Sequence, residues 1–110
     1  MTGSHYRLVY DKVAADNTQA GGAFTVTVDG NALSHQISTT KNGGTAGTLA
    51  VEVKPRGTGR FETLTVNNIA VSLDLAADET FGPFDGSFDE FRFTPSAFDG
   101  TDFDLRLVGY

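Results

Sequence analysis

The sequence predicts an all-β fold, an antiparallel two-layer β-sandwich of about eight strands with jelly-roll or immunoglobulin-like winding. Three observations support this. Apolar and polar residues alternate with a period of two in stretch after stretch, no segment keeps helical spacing for more than about one turn, and turn-forming pairs such as Asp29-Gly30 and Asn67-Asn68 punctuate the alternation. A single sheet would leave one apolar face wet, so two sheets are expected to pack face to face. With 110 residues there is room for one core, and residues 1–110 are expected to form a single domain.

Each element follows from its residues. Tyr6, Leu8 and Tyr10 alternate with Arg7, Val9 and Asp11, which predicts a first strand over residues 5–13 with the tyrosines on one face. Phe24, Val26 and Val28 lead into Asp29-Gly30, a pair suited to a type I′ turn, and predict a hairpin with a return strand through Leu33 and Ile37. That return strand places His35 among apolar neighbours. Residues 38–48, STTKNGGTAGT, are polar and Gly-rich and read as a loop or arm. Leu49, Val51 and Val53 form the next strand, which Pro55 ends because proline has no amide hydrogen to give a ladder. The RGTGR turn, residues 56–60, follows. Asn67-Asn68 then predicts a tight hairpin in which Val66 faces Ile69, Leu64 faces Val71 and Glu62 faces Leu73. Residues 76–87, AADETFGPFDGS, read as a long crossover between sheets. The chain closes on strands from Phe88 to Thr94 and from Asp102 to Gly109, joined by residues 95–101.

Composition excludes several function classes. Eight basic against fourteen acidic side chains give a net charge of −6, which opposes binding to a phosphate backbone, so no nucleic-acid partner is expected. The apolar stretches fall far short of the roughly 20 residues needed to cross a bilayer, and no basic start precedes an apolar block, so neither a membrane partner nor an export signal is expected. There is no cysteine, and therefore no disulfide, thiol nucleophile or thiolate zinc site. Of the two histidines, His5 lies near the start, and His35 cannot pair with adjacent Ser34 because strand neighbours point to opposite faces. No enzymatic activity and no cofactor are expected.

Candidate binding residues fall into three groups. Phe81, Phe84 and Phe88 lie in the acidic 76–87 segment and at its edge; they either plug the open end of the sandwich or anchor a protein interface. Lys54, Arg56 and Arg60 form the one basic cluster, at a hairpin tip that could meet the acidic loop of an identical copy. Asp99, Asp102 and Asp104 are hard oxygen donors of the kind calcium takes, although DGTDFD departs from the EF-hand order and turn carboxylates are commonly solvated caps.

The closing segment Phe88–Tyr110, FDEFRFTPSAFDGTDFDLRLVGY, resembles the last hairpin of small β-sandwich structural proteins of tailed bacteriophages, with an F-x-F-T-P strand end, a polar Gly loop and a final alternating strand. Small size, absence of cysteine, acidity and Thr/Gly richness are also similar to the phage proteins that decorate or cement a capsid. The resemblance implies a structural virion protein, made in the host cytoplasm and seated on the capsid surface. It would be homo-oligomeric and often trimeric, stapling neighbouring subunits of the major capsid protein or another virion protein. No capsid-anchoring arm is recognisable, which leaves a tail, neck or fibre location open. The alternative is a β-sandwich adhesion module that holds a glycan or host protein, with calcium on its acidic loops.

Overall fold

The computed structural model describes residues 8–12, 23–28, 32–43, 45–98 and 102–109, with the side chains of residues 8–12, 42 and 102 outside the description. In these residues the chain is all-β, as expected. Its strands are β1 (Leu8–Lys12), β2 (Phe24–Thr27), β3 (Ser34–Asn42), β4 (Thr48–Pro55), β5 (Glu62–Thr63), β6 (Thr65–Val66), β7 (Ile69–Ala70), β8 (Ser72–Asp74), β9 (Glu79–Asp85), β10 (Phe88–Ser96) and β11 (Asp102–Gly109).

One sheet has the order β1-β11-β3-β9. The other has β2-β10-β4-β5, with β8 also on β4, and β6 and β7 form a small hairpin. All pairings are antiparallel, and four of them are nested, β1–β11, β2–β10, β3–β9 and β4–β8: Leu8 faces Gly109, Phe24 faces Phe93, Ser34 faces Asp85 and Thr48 faces Asp74. As one partner advances along the chain, the other recedes by nearly the same number of residues. These four pairs are successive rungs of one long ribbon, doubled back through β5 and the β6–β7 hairpin and rolled so that its sections alternate between two sheets. Where the rolled layers meet, β11 pairs with β3 and β10 with β4. Of the two windings the sequence left open, this is the jelly roll.

The core lies between the sheets and follows the period-two pattern. Leu49, Val51 and Val53 of β4 and Phe91 and Phe93 of β10 meet Ile37 of β3 and Phe103, Leu105 and Leu107 of β11, all buried. Phe91 and Phe93 stack with centroids 6.1 Å apart, and Phe98 meets Phe103 edge-on at 5.4 Å. Phenylalanine supplies much of this interior, each fully buried ring contributing about 1.5–3 kcal/mol of transfer free energy.

Four expectations are corrected. β2 and β3 do not pair as the expected hairpin: β2 pairs with β10 and β3 with β11 and β9, in different sheets, so His35 faces Phe84 rather than Phe24, while Asp29-Gly30 itself lies outside the described residues. Residues 38–42 are not a loop. β3 runs on to Asn42 because β11 supplies ladder partners from Ser38 to Asn42, which satisfies a polar backbone without any apolar face. The 76–87 crossover contains a strand, β9, at the sheet edge, where the missing amide hydrogen of Pro83 is tolerated. In the central hairpin Val66 faces Ile69 as predicted, with Asn67 and Asn68 at φ 55° and 64°, but Glu62 pairs with Val53 and Leu73 with Leu49. Tyr6 and the side chain of Tyr10 lie outside the described residues.

Candidate functional site

Two groups of chemistry-bearing side chains emerge from this winding. The first is internal. His35, near the start of β3, points into the core and is fully buried. Its ring lies 5.7 Å from Phe84, 5.2 Å from Phe88 and 5.4 Å from Phe91, centroid to centroid. Nε2 donates to the carbonyl oxygen of Gly86 at 2.9 Å, which fixes the neutral tautomer with its proton on Nε2. Among the described residues Nδ1 has no hydrogen-bond partner. Burial pushes the His35 pKa below its ordinary value, while the bond to Gly86 and the nearby charge of Asp85 pull the other way.

Backbone irregularities build this pocket. Between the pairs His35–Phe84 and Ile37–Phe81 the register shifts, so Gly82 and Pro83 of β9 stand against the single residue Gln36. At Gly82, φ is 118° and a Cβ would fall 2.7 Å from the His35 carbonyl oxygen, so only glycine fits. A second bulge at Asp89 of β10 lets Val28 donate to the Asp89 carbonyl. Gly86 closes the end, its amide donating to the Leu33 carbonyl.

The second group lies on the outer face of the other sheet. Glu52 faces Arg92 and Lys54 is next to Glu90 across the β4–β10 pair, with ion pairs of 2.8 and 2.5 Å. Half-buried Phe61 sits beneath both cations, its ring centroid 4.2 Å from Arg92 Cζ and 4.9 Å from Lys54 Nζ. The bond from Arg92 holds the Glu52 carboxyl below its ordinary pKa and raises that of Arg92.

The sequence candidates redistribute accordingly. Phe84 and Phe88 are buried against His35 and present no aromatic face at the surface, which corrects their reading as exposed anchors; Phe81 is half-buried at the core margin. They plug the interior because the 76–87 segment is a paired strand rather than a free loop. Lys54 is engaged by Glu90 of its own chain, and Gly57 of the basic turn donates to the Asp89 carboxylate at 3.0 Å. The basic tip thus meets Asp89 and Glu90 of β10 within one molecule, where the sequence suggested an acidic loop of a second copy. Arg56 and Arg60 are exposed. Asp99 lies outside the described residues, as does the side chain of Asp102, and Asp104 is exposed on β11. Among the described residues no three His, Cys, Asp or Glu side chains are grouped to hold a metal ion.

Sequence reasoning missed Phe61 and Gly86. Phe61 could have been found from its place directly after the basic turn. Gly86 carried no signal beyond being one glycine of thirteen. Comparison with family models, with curated proteins and with solved structures found no match.

Proposed function

We propose that the chain is a structural virion protein that decorates and cements a phage capsid, acting by binding rather than by chemistry. The observation that carries this reading is the winding: a single ribbon rolled into a jelly roll, the architecture of many viral capsid proteins. The phage-like closing segment adds its sequence pattern alone, since its two strands, β10 and β11, lie in different sheets and not in the hairpin the sequence suggested. Both arguments are analogies of fold and pattern. The site geometry is compatible with them, since His35 is sealed among phenylalanines and the charges of β4 and β10 are paired across their own sheet.

With Phe84 and Phe88 internal, the anchors fall to the two large hydrophobic side chains exposed among the described residues, Leu33 (64% exposed) and Ile69 (70%). Leu33 stands beside the His35 end of the sandwich, and Ile69 just past the Asn67-Asn68 tip. A decorating protein that binds only the assembled lattice stabilises it by mass action, about 2.7 kcal/mol per site at a hundredfold excess over Kd. The test is direct. Purified chain should bind mature capsids and raise their disruption temperature; unchanged disruption at saturating protein refutes the reading. The lectin-like use of a jelly roll is the competing reading, and glycan binding abolished by EDTA would favour it.

A further inference from the structure

We propose that His35 is an acid-opened latch: when its imidazole takes up a proton, the end of the sandwich formed by the start of β3, the Gly86 turn and the start of β10 opens and releases Phe84 and Phe88 to solvent. The geometry points to this. The neutral ring has its one N–H on the Gly86 carbonyl and leaves only the Nδ1 lone pair without a partner among three phenylalanines. The protonated ring would carry a charge and a second N–H at Nδ1, which has no acceptor among the described residues. Phenyl faces attract a cation, but they do not replace a hydrogen-bond acceptor.

The groups around His35 offer little charge to offset this. β9 contributes Phe84 and Asp85, the one carboxylate near the ring among the described residues. β10 contributes Phe88 and Phe91, while its acids Asp89 and Glu90 are engaged by Gly57 and Lys54 on the other side. On β11, His35 faces Gly109, and its neighbours on β3 are Ser34 and Gln36, none of which titrates. Beyond the ladder pairs of Ser34 with Asp85 and of His35 with Phe84 and Gly109, the end is joined by Gly86 to Leu33, Val28 to Asp89 and Arg56 to Ser87 through the backbone, and by His35 itself to Gly86. Opening this end alone hydrates the cation while the rest of both sheets stays paired.

The direction of the pH effect follows from proton counting. Burial lowers the folded pKa below the ordinary 6.5, so between the two values the open state binds more protons than the closed one. Stability is complete above that ordinary value and declines as pH falls below it. The full chain should show an opening constant that rises by up to about tenfold per pH unit as pH falls below 6.5 toward the lower folded value. Hydrogen exchange should report it at Gly86, Phe88 and Val28, while Val51, Leu105 and Leu107 stay protected. His35→Phe should abolish the pH dependence, and His5→Gln should retain it. Nitrogen chemical shifts of His35 in the native chain provide a second readout that does not require the variant to fold. Protonation that coincides with lost protection at Gly86 supports the latch. Protonation without opening, no opening down to about pH 5, or an unaltered pH slope in His35→Phe overturns it.

Discussion

Replacing Gly86 by alanine separates two costs that the fold imposes at one residue. The backbone there has φ 152°, and an added Cβ would stand 2.3 Å from Cζ and 2.6 Å from Cε2 of the Phe88 ring. That ring cannot simply swing away, because it is buried and lies 5.2 Å from His35 and 5.3 Å from Phe91. The backbone term is about 1–3 kcal/mol and the overpacking term about 1–3 kcal/mol, so Gly86→Ala should lose about 4 kcal/mol in all. Gly57→Ala is the internal control. Its φ of 81° is also left-handed, but a Cβ there meets nothing within 4 Å, so only the backbone cost of about 1–2 kcal/mol applies.

Urea and thermal unfolding of both variants measure the difference. At about 4 °C per kcal/mol, Gly86→Ala should melt about 16 °C below the parent and Gly57→Ala about 4–8 °C below it. A double-mutant cycle locates the excess: with Phe88→Ala in the background the clash is gone, and the cost of Gly86→Ala should fall to its backbone share. If the two glycine variants melt within about 2 °C of each other, or the cycle shows no coupling, the packing of Phe88 onto Gly86 is not what holds this end together.

At the ribbon's fold-back, Asn68→Gly should leave stability unchanged or raise it by a few tenths of a kcal/mol, whereas Asn68→Val, β-branched at φ 64°, should cost about 1–2 kcal/mol in urea unfolding. Glu52→Gln removes a partly exposed ion pair and should cost no more than about 1 kcal/mol, less at high salt. Because Arg92 depresses the Glu52 pKa, that contribution is present above the ordinary 4.5 and lost as pH falls through the lower folded value, so the parent and Glu52→Gln stability curves should converge in acid. Thermal melting of the chain should be the same with calcium and with EDTA; a calcium-dependent rise would revive Asp99, Asp102 and Asp104 as ligands. Leu33→Asp and Ile69→Asp should each weaken capsid binding while leaving the melting temperature within about 2 °C of the parent, since both side chains are already in water.

Which parts of this fold were readable depends on how local their cause is. Asn67-Asn68 sets its own hairpin, because two residues that accept positive φ determine both the turn and the register beside it. Asp29-Gly30 has equally good turn chemistry and misled for an instructive reason. The residues that claim β2 are Phe91 and Phe93, far along the chain, and their match to Val26 and Phe24 leaves no trace near residue 29. Segment 76–87 hid a strand because Gly82-Pro83 breaks the alternation of Phe81 and Phe84. In the sheet those two residues are the extra pair of a bulge on an outer edge, where the broken alternation does no harm. Residues 38–42 hid one because polar strands are recognisable only by their partners.

The candidate site shows the same limit. His35 does lie among apolar neighbours, but not the ones the sequence offered: the expected hairpin set Phe24 opposite it, whereas the three rings that surround it come from β9 and β10 and depend on two register shifts that no local pattern encodes. Gly82 lets the β9 bulge approach the carbonyl of His35, and Gly86 supplies the carbonyl that receives its Nε2–H. Both glycines serve one imidazole, one at its backbone and one at its ring.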